Sequence, residues 1–124
     1  MTHCLIPVSI GELYDKYSIL EIKYERIKDL TKSEFVKREM DYLKPFIDEY
    51  TLEETLREQL KSINEKLWDI EDRIRVKELL QEFDQEFISI ARSVYKTNDE
   101  RNVVKNQINE IFKSDIKDIK SYVA

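Results

Sequence analysis

Apolar residues recur along this chain at steps of three and four, the spacing that gathers them on one face of an α-helix. Ile10, Leu13, Tyr17, Leu20, Tyr24 and Ile27 form the first series. Ser9 and Glu12 make a capping box before it, so a helix is expected over roughly residues 10–30. Thr31 or Ser33 is the expected cap of a second helix, with Glu34 completing a box from Thr31. Phe35, Met40 and Leu43 give that helix a weaker stripe. Pro45 is expected to stop it near residue 43 or 44, because proline disfavours helix in the residue before it.

A box at Thr51 and Glu54 opens the longest expected helix, 52–82. Its apolar series Leu56, Leu60, Ile63, Leu67, Ile70 and Ile74 alternates steps of four and three, a heptad-like seam. Asp84 is the expected cap of a helix reaching about Lys96, and "TNDE" at 97–100 the start of a last helix to about Lys113. Residues 1–8 are expected to form a short extended arm, 9–113 the helical body, and 114–124 a short tail. The fold class is therefore all-α: one domain, an antiparallel bundle of four to five helices.

The long helix has two distinct faces. With residue 65 at zero and about 100° per residue, the heptad series clusters near 180°. Glu65, Trp68, Asp69, Asp72 and Val76 cluster on the opposite side with Leu79 and Phe83. This second face begins acidic, carries the only tryptophan, and ends apolar. So much apolar surface implies a cover, either another helix of the chain or a second subunit.

Composition narrows the function classes. The 124 residues suit one domain, and with 41% hydrophobic residues there is enough apolar material for a core despite 38% charged residues. One Gly and two Pro leave few turns, which favours long helices with short joints and rules out glycine-rich phosphate loops. The net charge of −5, with lysines interleaved among acids, excludes a duplex nucleic-acid surface. Cys4 is the only cysteine, so no intrachain disulfide forms. No apolar run approaches a membrane span and the N-terminus is too short in apolar residues for a signal peptide; the expected setting is cytoplasmic, with no membrane contact.

Two groups of residues carry candidate chemistry. The first is a ligand or interface set: Trp68, Asp69, Asp72 and Arg75 on the long helix, and Arg92, Tyr95, Asn98, Asp99 and Arg101 in "ARSVYKTNDERNVVK". An aromatic wall beside carboxylates suits a cation or polar ligand. The second stretch crosses an expected helix start, where free N–H groups favour anions. The plainer readings are a salt-bridge-laced helix with an anchoring Trp, and simple capping. The second group is a set of hard-cation ligands, Glu12 with Asp15 and Asp69 with Asp72, one helical turn apart within each pair. Facing each other, they would suit magnesium or manganese, with Lys16, Arg92 or Arg101 on a phosphate. In a chain with 26 acids such spacings also arise by chance. His3 beside Cys4 has no further His or Cys to complete a zinc site.

Three stretches together, "IPVSIGELYDKYSILEIKYERI" (6–27), "INEKLWDIEDRIRVKE" (63–78) and "FISIARSVYKTNDERNVVKNQIN" (87–109), resemble a family of small bacterial and phage helical proteins grouped as a domain of unknown function. The resemblance implies that these stretches are the family signature; it brings no activity and no catalytic residue. A weaker likeness is to the all-α nucleotide pyrophosphohydrolases, which hold magnesium with E-x-x-E and E-x-x-D boxes. The chain lacks a clean pair of such boxes on two helices. The sequence thus points to a non-enzymatic binding or assembly protein, a homo-oligomer and specifically a dimer, without cofactor. The Trp68–Phe83 face would meet a second subunit or another protein. The alternative is a metal-dependent hydrolase of a nucleotide or other phosphate ester.

Overall fold

Helix formation begins at the first capping box. In the computed structural model, which describes residues 2–123, Ser9 Oγ accepts the Glu12 N–H at 3.1 Å and helix α1 runs Ile10–Arg26. It ends short of the expected boundary: Ile27 is extended, and its N–H returns to the Lys23 carbonyl at 2.8 Å. Helix α2, Leu30–Glu49, follows after a short joint. Its cap is Asp29, whose carboxylate accepts the Lys32 N–H at 3.0 Å, so neither Thr31 nor Ser33 opens it.

Pro45 does not stop α2. It sits inside the helix on the exposed side, and the helix runs on to Glu49. Proline removes one backbone hydrogen bond there and disfavours the conformation of Lys44. Tertiary contacts offset this. Ile47 is buried, and the Tyr14 hydroxyl donates to the carbonyls of Ile47 (3.2 Å) and Tyr50.

Helix α3, Glu54–Leu80, and helix α4, Gln85–Phe112, form a long hairpin. The Thr51–Glu54 box is not used. Thr51 Oγ1 donates back to the Asp48 carbonyl at 3.3 Å, Leu52 is buried, and Glu53 caps α3 without a side-chain bond. Asp84 does cap α4, accepting the Phe87 N–H at 2.9 Å. α4 is one helix where two were expected. Thr97, the expected cap of a second helix, is 1% exposed in the helix interior; packed into the bundle, it has no helix end to cap. Four helices therefore account for the bundle, and residues 114–123 carry no helix.

α1 is the hub. It packs against each of the other three helices, α3 and α4 pack along each other, and α2 packs on α1 alone. Leu13, Tyr14 and Tyr17 of α1 meet Ile47, Leu52, Leu60, Val104 and Ile108 in the core. The heptad-like seam faces inward as expected, with Leu60 and Ile70 buried and Leu56, Ile63, Leu67 and Ile74 partly so.

The single glycine of the chain serves none of the turns. The left-handed positions that end α3 and α4 are Gln81 (φ 56°) and Lys113 (φ 53°). Gly11 lies instead in the first turn of α1, where its N–H donates to Asn109 Oδ1 at 2.7 Å. A Cβ there would stand 2.5 Å from the Lys105 carbonyl oxygen and 2.7 Å from Asn109 Oδ1. Glycine thus permits the close approach of α1 to α4. In an open helix Gly→Ala stabilises by about 0.5–1 kcal/mol. Gly11→Ala is expected to do the reverse, lowering unfolding free energy in urea by about 1–3 kcal/mol because backbone must move to admit the methyl.

Candidate functional site

Beside Gly11, the α1–α4 contact is charged. Asp15 is 2% exposed, and both its carboxylate oxygens are engaged. Arg101 Nε lies 3.2 Å from Oδ1, Lys105 Nζ lies 3.7 Å from Oδ2, and Asn64 Nδ2 donates to Oδ1 at 2.9 Å. Asn64 also donates to Ser18 Oγ at 2.8 Å, and Ser18 Oγ donates to the Asp15 carbonyl at 2.8 Å. Lys105, itself buried, reaches on to Glu12 at 2.7 Å. Two acids and two cations thus close a neutral cluster that binds α1 to α3 and α4 at once.

This cluster reassigns several residues of the sequence analysis. Glu12 and Asp15 converge on the Lys105 ammonium. Asp69 is engaged elsewhere, by Arg26 Nη1 at 2.7 Å. Asp15 and Arg26 are separated by about eleven residues of α1, about 16 Å of helix rise, so the two acidic pairs serve opposite ends of that helix. Among the described residues, no three or more of His, Cys, Asp and Glu form a group that could hold a metal ion.

The stretch from Arg92 to Arg101 divides in the same way. It spans no helix start, because α4 is continuous, so its interior N–H groups are not free to bind an anion. Arg92, Tyr95 and Asp99 face solvent. Asn98 and Arg101 turn inward, with Arg101 Nη1 donating to Asn98 Oδ1 at 3.2 Å and its Nε on Asp15. Lys16 pairs with Glu39 of α2 at 2.8 Å.

At the other end of α1, Arg26 closes over the tryptophan. Its guanidinium carbon stands 5.8 Å from the centre of the half-buried Trp68 ring, within cation–π range. Its two terminal nitrogens reach Asp69 at 2.7 Å and Glu65 at 3.7 Å. The hydrogen bond that Arg26 donates to Asp69, with the charges of Asp69, Glu65 and Asp72, pushes the Arg26 pKa further up. The carboxylates around Trp68 are therefore the counter-ions of a lid contributed by α1. Arg26, Glu65, Lys66, Asp69, Arg73 and Ser93 line an open surface groove of about 510 Å³ there. Farther along, Arg75 pairs within its own helix with Glu71 at 3.6 Å, and Arg73 reaches across to Glu86 of α4 at 3.8 Å.

Beyond Arg26 the tryptophan face has no cover among the described residues. Val76 is 53% exposed, Leu79 83% and Phe83 54%. Phe83 meets Phe87 edge to face, with ring centroids 5.3 Å apart. The hairpin tip is held by Lys77, whose ammonium contacts Glu82 and Asp84 at 3.0 Å and Glu86 at 3.3 Å. Those bonds raise the Lys77 pKa. The Phe87 N–H, then Lys77, lower that of Asp84.

The residues that sequence reasoning missed are Gly11, Ser18, Asn64, Lys105 and Asn109. Their signals were a glycine inside a helix and the polar ladder Arg101, Lys105, Asn109 at four-residue steps. The two kinds of acid separate experimentally. Asp15→Ala takes the shared carboxylate from Arg101 and Asn64 and leaves buried Lys105 to Glu12 alone, and is expected to cost about 3–5 kcal/mol in chemical denaturation. Asp69→Ala removes a solvent-facing pair and should cost no more than about 1 kcal/mol.

No curated protein and no solved structure matches this chain. The three stretches singled out in the sequence all fall within the one region that a family model covers, residues 5–124. The chain belongs to that family, described as a family of unknown function (DUF6165).

Proposed function

We propose that this protein is a non-enzymatic binding or assembly module that works as a homo-oligomer, with the Val76–Leu80 end of α3 and Phe83 in the joint beyond it as its association face. The observation that carries this reading is the exposure of Val76 and Leu79 on a helix face whose other half, at Trp68, is covered by α1, together with exposed Phe83 in the joint that follows. Contiguous apolar surface of this kind marks an interaction site in a soluble chain. The engagement of the acids supports the same reading: Glu12 and Asp15 hold Lys105 and Arg101, and Asp69 holds Arg26.

Sedimentation velocity over a concentration series tests it. The wild-type chain is expected to sediment as a dimer at micromolar concentration. Val76→Glu combined with Phe83→Ser is expected to shift it to monomer by weakening association at least about tenfold, with unchanged helical circular dichroism. A wild-type chain that stays monomeric at every concentration would contradict the proposal.

A further inference from the structure

Helix α2 is held from one side. Val36 and Ile47 are its buried residues, and among the helices it packs on α1 alone. Two contacts secure its C-terminal end: the Tyr14 hydroxyl on the carbonyls of Ile47 and Tyr50, and the Tyr50 ring edge-on to Phe112, with centroids 6.1 Å apart. The Lys16–Glu39 pair faces solvent and adds little. Away from α1, the helix carries an aromatic stripe. Phe35, Tyr42 and Phe46 lie within about 40° of one another at about 100° per residue. All three are exposed, Phe35 to 64%.

The arm that precedes α1 reaches this stripe. The His3 ring stands 4.7 Å, centre to centre, from that of Tyr42. The Tyr14 hydroxyl places the first turns of α1 beside the last turn of α2, so an arm leaving Ser9 must run back along α2 to bring His3 to Tyr42. Tyr42 precedes the C-cap Tyr50 by about 12 Å of helix rise, and the extended chain from Ser9 back to His3 spans up to about 20 Å. The path passes the level of Phe46. The composition of the arm is unlike the rest of the chain. Residues 1–11 include no Asp, Glu, Lys or Arg, where such residues make up 38% of the whole. Segments that stay in water are usually rich in charge, whereas this one carries Leu5, Ile6 and Val8, with Pro7 restricting its backbone. Yet Leu5 is 81% exposed and Ile6 70%. The arm is tied to α2 at His3 with its apolar side chains still unburied.

We infer that the arm is a strap that closes over Tyr42 and Phe46 and holds α2 against α1. In the closed state Leu5 and Ile6 pack on the two rings, and α2 is held from both sides. With the strap open, α2 keeps its α1 contact alone and is the first element to come away. The occupant of the stripe is the chain's own arm, because His3 is already seated on Tyr42 and the arm is long enough to span the distance.

The test is amide hydrogen exchange of the full chain at one low concentration. It compares wild type, Leu5→Ser/Ile6→Ser, Phe46→Ser and the three substitutions together. Leu5 and Ile6 lie outside every helix and are exposed, so an arm that never closes predicts no effect from their replacement. The strap predicts that Leu5→Ser/Ile6→Ser speeds exchange of α2 amides 34–44 at least about tenfold, with segments 54–69 and 94–112 changed less than about twofold. Phe46→Ser is expected to speed the same amides. The combined variant is expected to exceed the faster of the two by less than about twofold, because both remove one contact. Exchange of α2 left unchanged by Leu5→Ser/Ile6→Ser overturns the strap, and so do arm and Phe46 effects that simply multiply. Protection of wild-type α2 that grows with concentration also overturns it, since the arm would then be closing on a second copy.

Discussion

The rest of the structure depends on where α1 sits, and the buried carboxylate of Asp15 fixes that. A charge at 2% exposure is sustained only by partners in the right places, and here they come from both other helices of the hairpin: Arg101 and Lys105 from α4, Asn64 from α3. Breaking such a cluster leaves the remaining charges unpaired, so its geometry specifies register more than it adds stability. Sliding α1 by one turn would take Asp15 out of reach of its present partners and bring a side chain in place of Gly11 onto the Lys105 carbonyl. Apolar contacts alone discriminate less sharply between such registers, because one buried Leu resembles another.

Once α1 is registered, its length decides what remains open. The Asp15 cluster holds the first half of α1 near the end of α4, and Arg26 then falls level with Glu65, Asp69 and the Trp68 ring. The acidic half of the second α3 face gains its cation there. The apolar half lies beyond the last turn of α1, where the chain turns into α2. The uncovered end is thus a consequence of register and helix length acting together. The tip is kept as a firm hairpin by the bonds of Lys77 and Asp84, and it does not fold back over its own apolar residues.

Much of this was legible in the sequence, with misses that share a cause. The helices, the inward seam of α3 and its two opposite faces followed from spacing, because a 3.6-residue period survives tertiary folding. The capping residues were less reliable. Ser9 and Asp84 cap as their sequence suggests, yet Thr51 and Thr97 have the same local signature and do not. Local propensity gives way there to the burial of Leu52 and of Thr97 itself. Pro45 inside α2 is a similar case, outweighed by the packing of Ile47. The polar seam was harder still. Asp15 in a row of acids and lysines looks like a solvated residue, and only three-dimensional proximity to residues about 50 and about 90 positions away reveals it as the centre of the core contact. The acids around Trp68 were visible as a cluster, but their partner Arg26 lies on another helix and could not be read from local spacing.

The most direct measurement is hydrogen–deuterium exchange along α3 and α4 as a function of protein concentration. In dilute solution the proximal halves, 54–69 and 94–112, should be well protected by α1, and the overhanging segments 70–80 and 85–93 should exchange faster. As concentration rises, protection should grow in the overhang alone, because a second copy covers what α1 leaves open. Uniform protection along the whole hairpin at every concentration would contradict the account, since it would mean that the overhang is neither exposed in one chain nor covered by another.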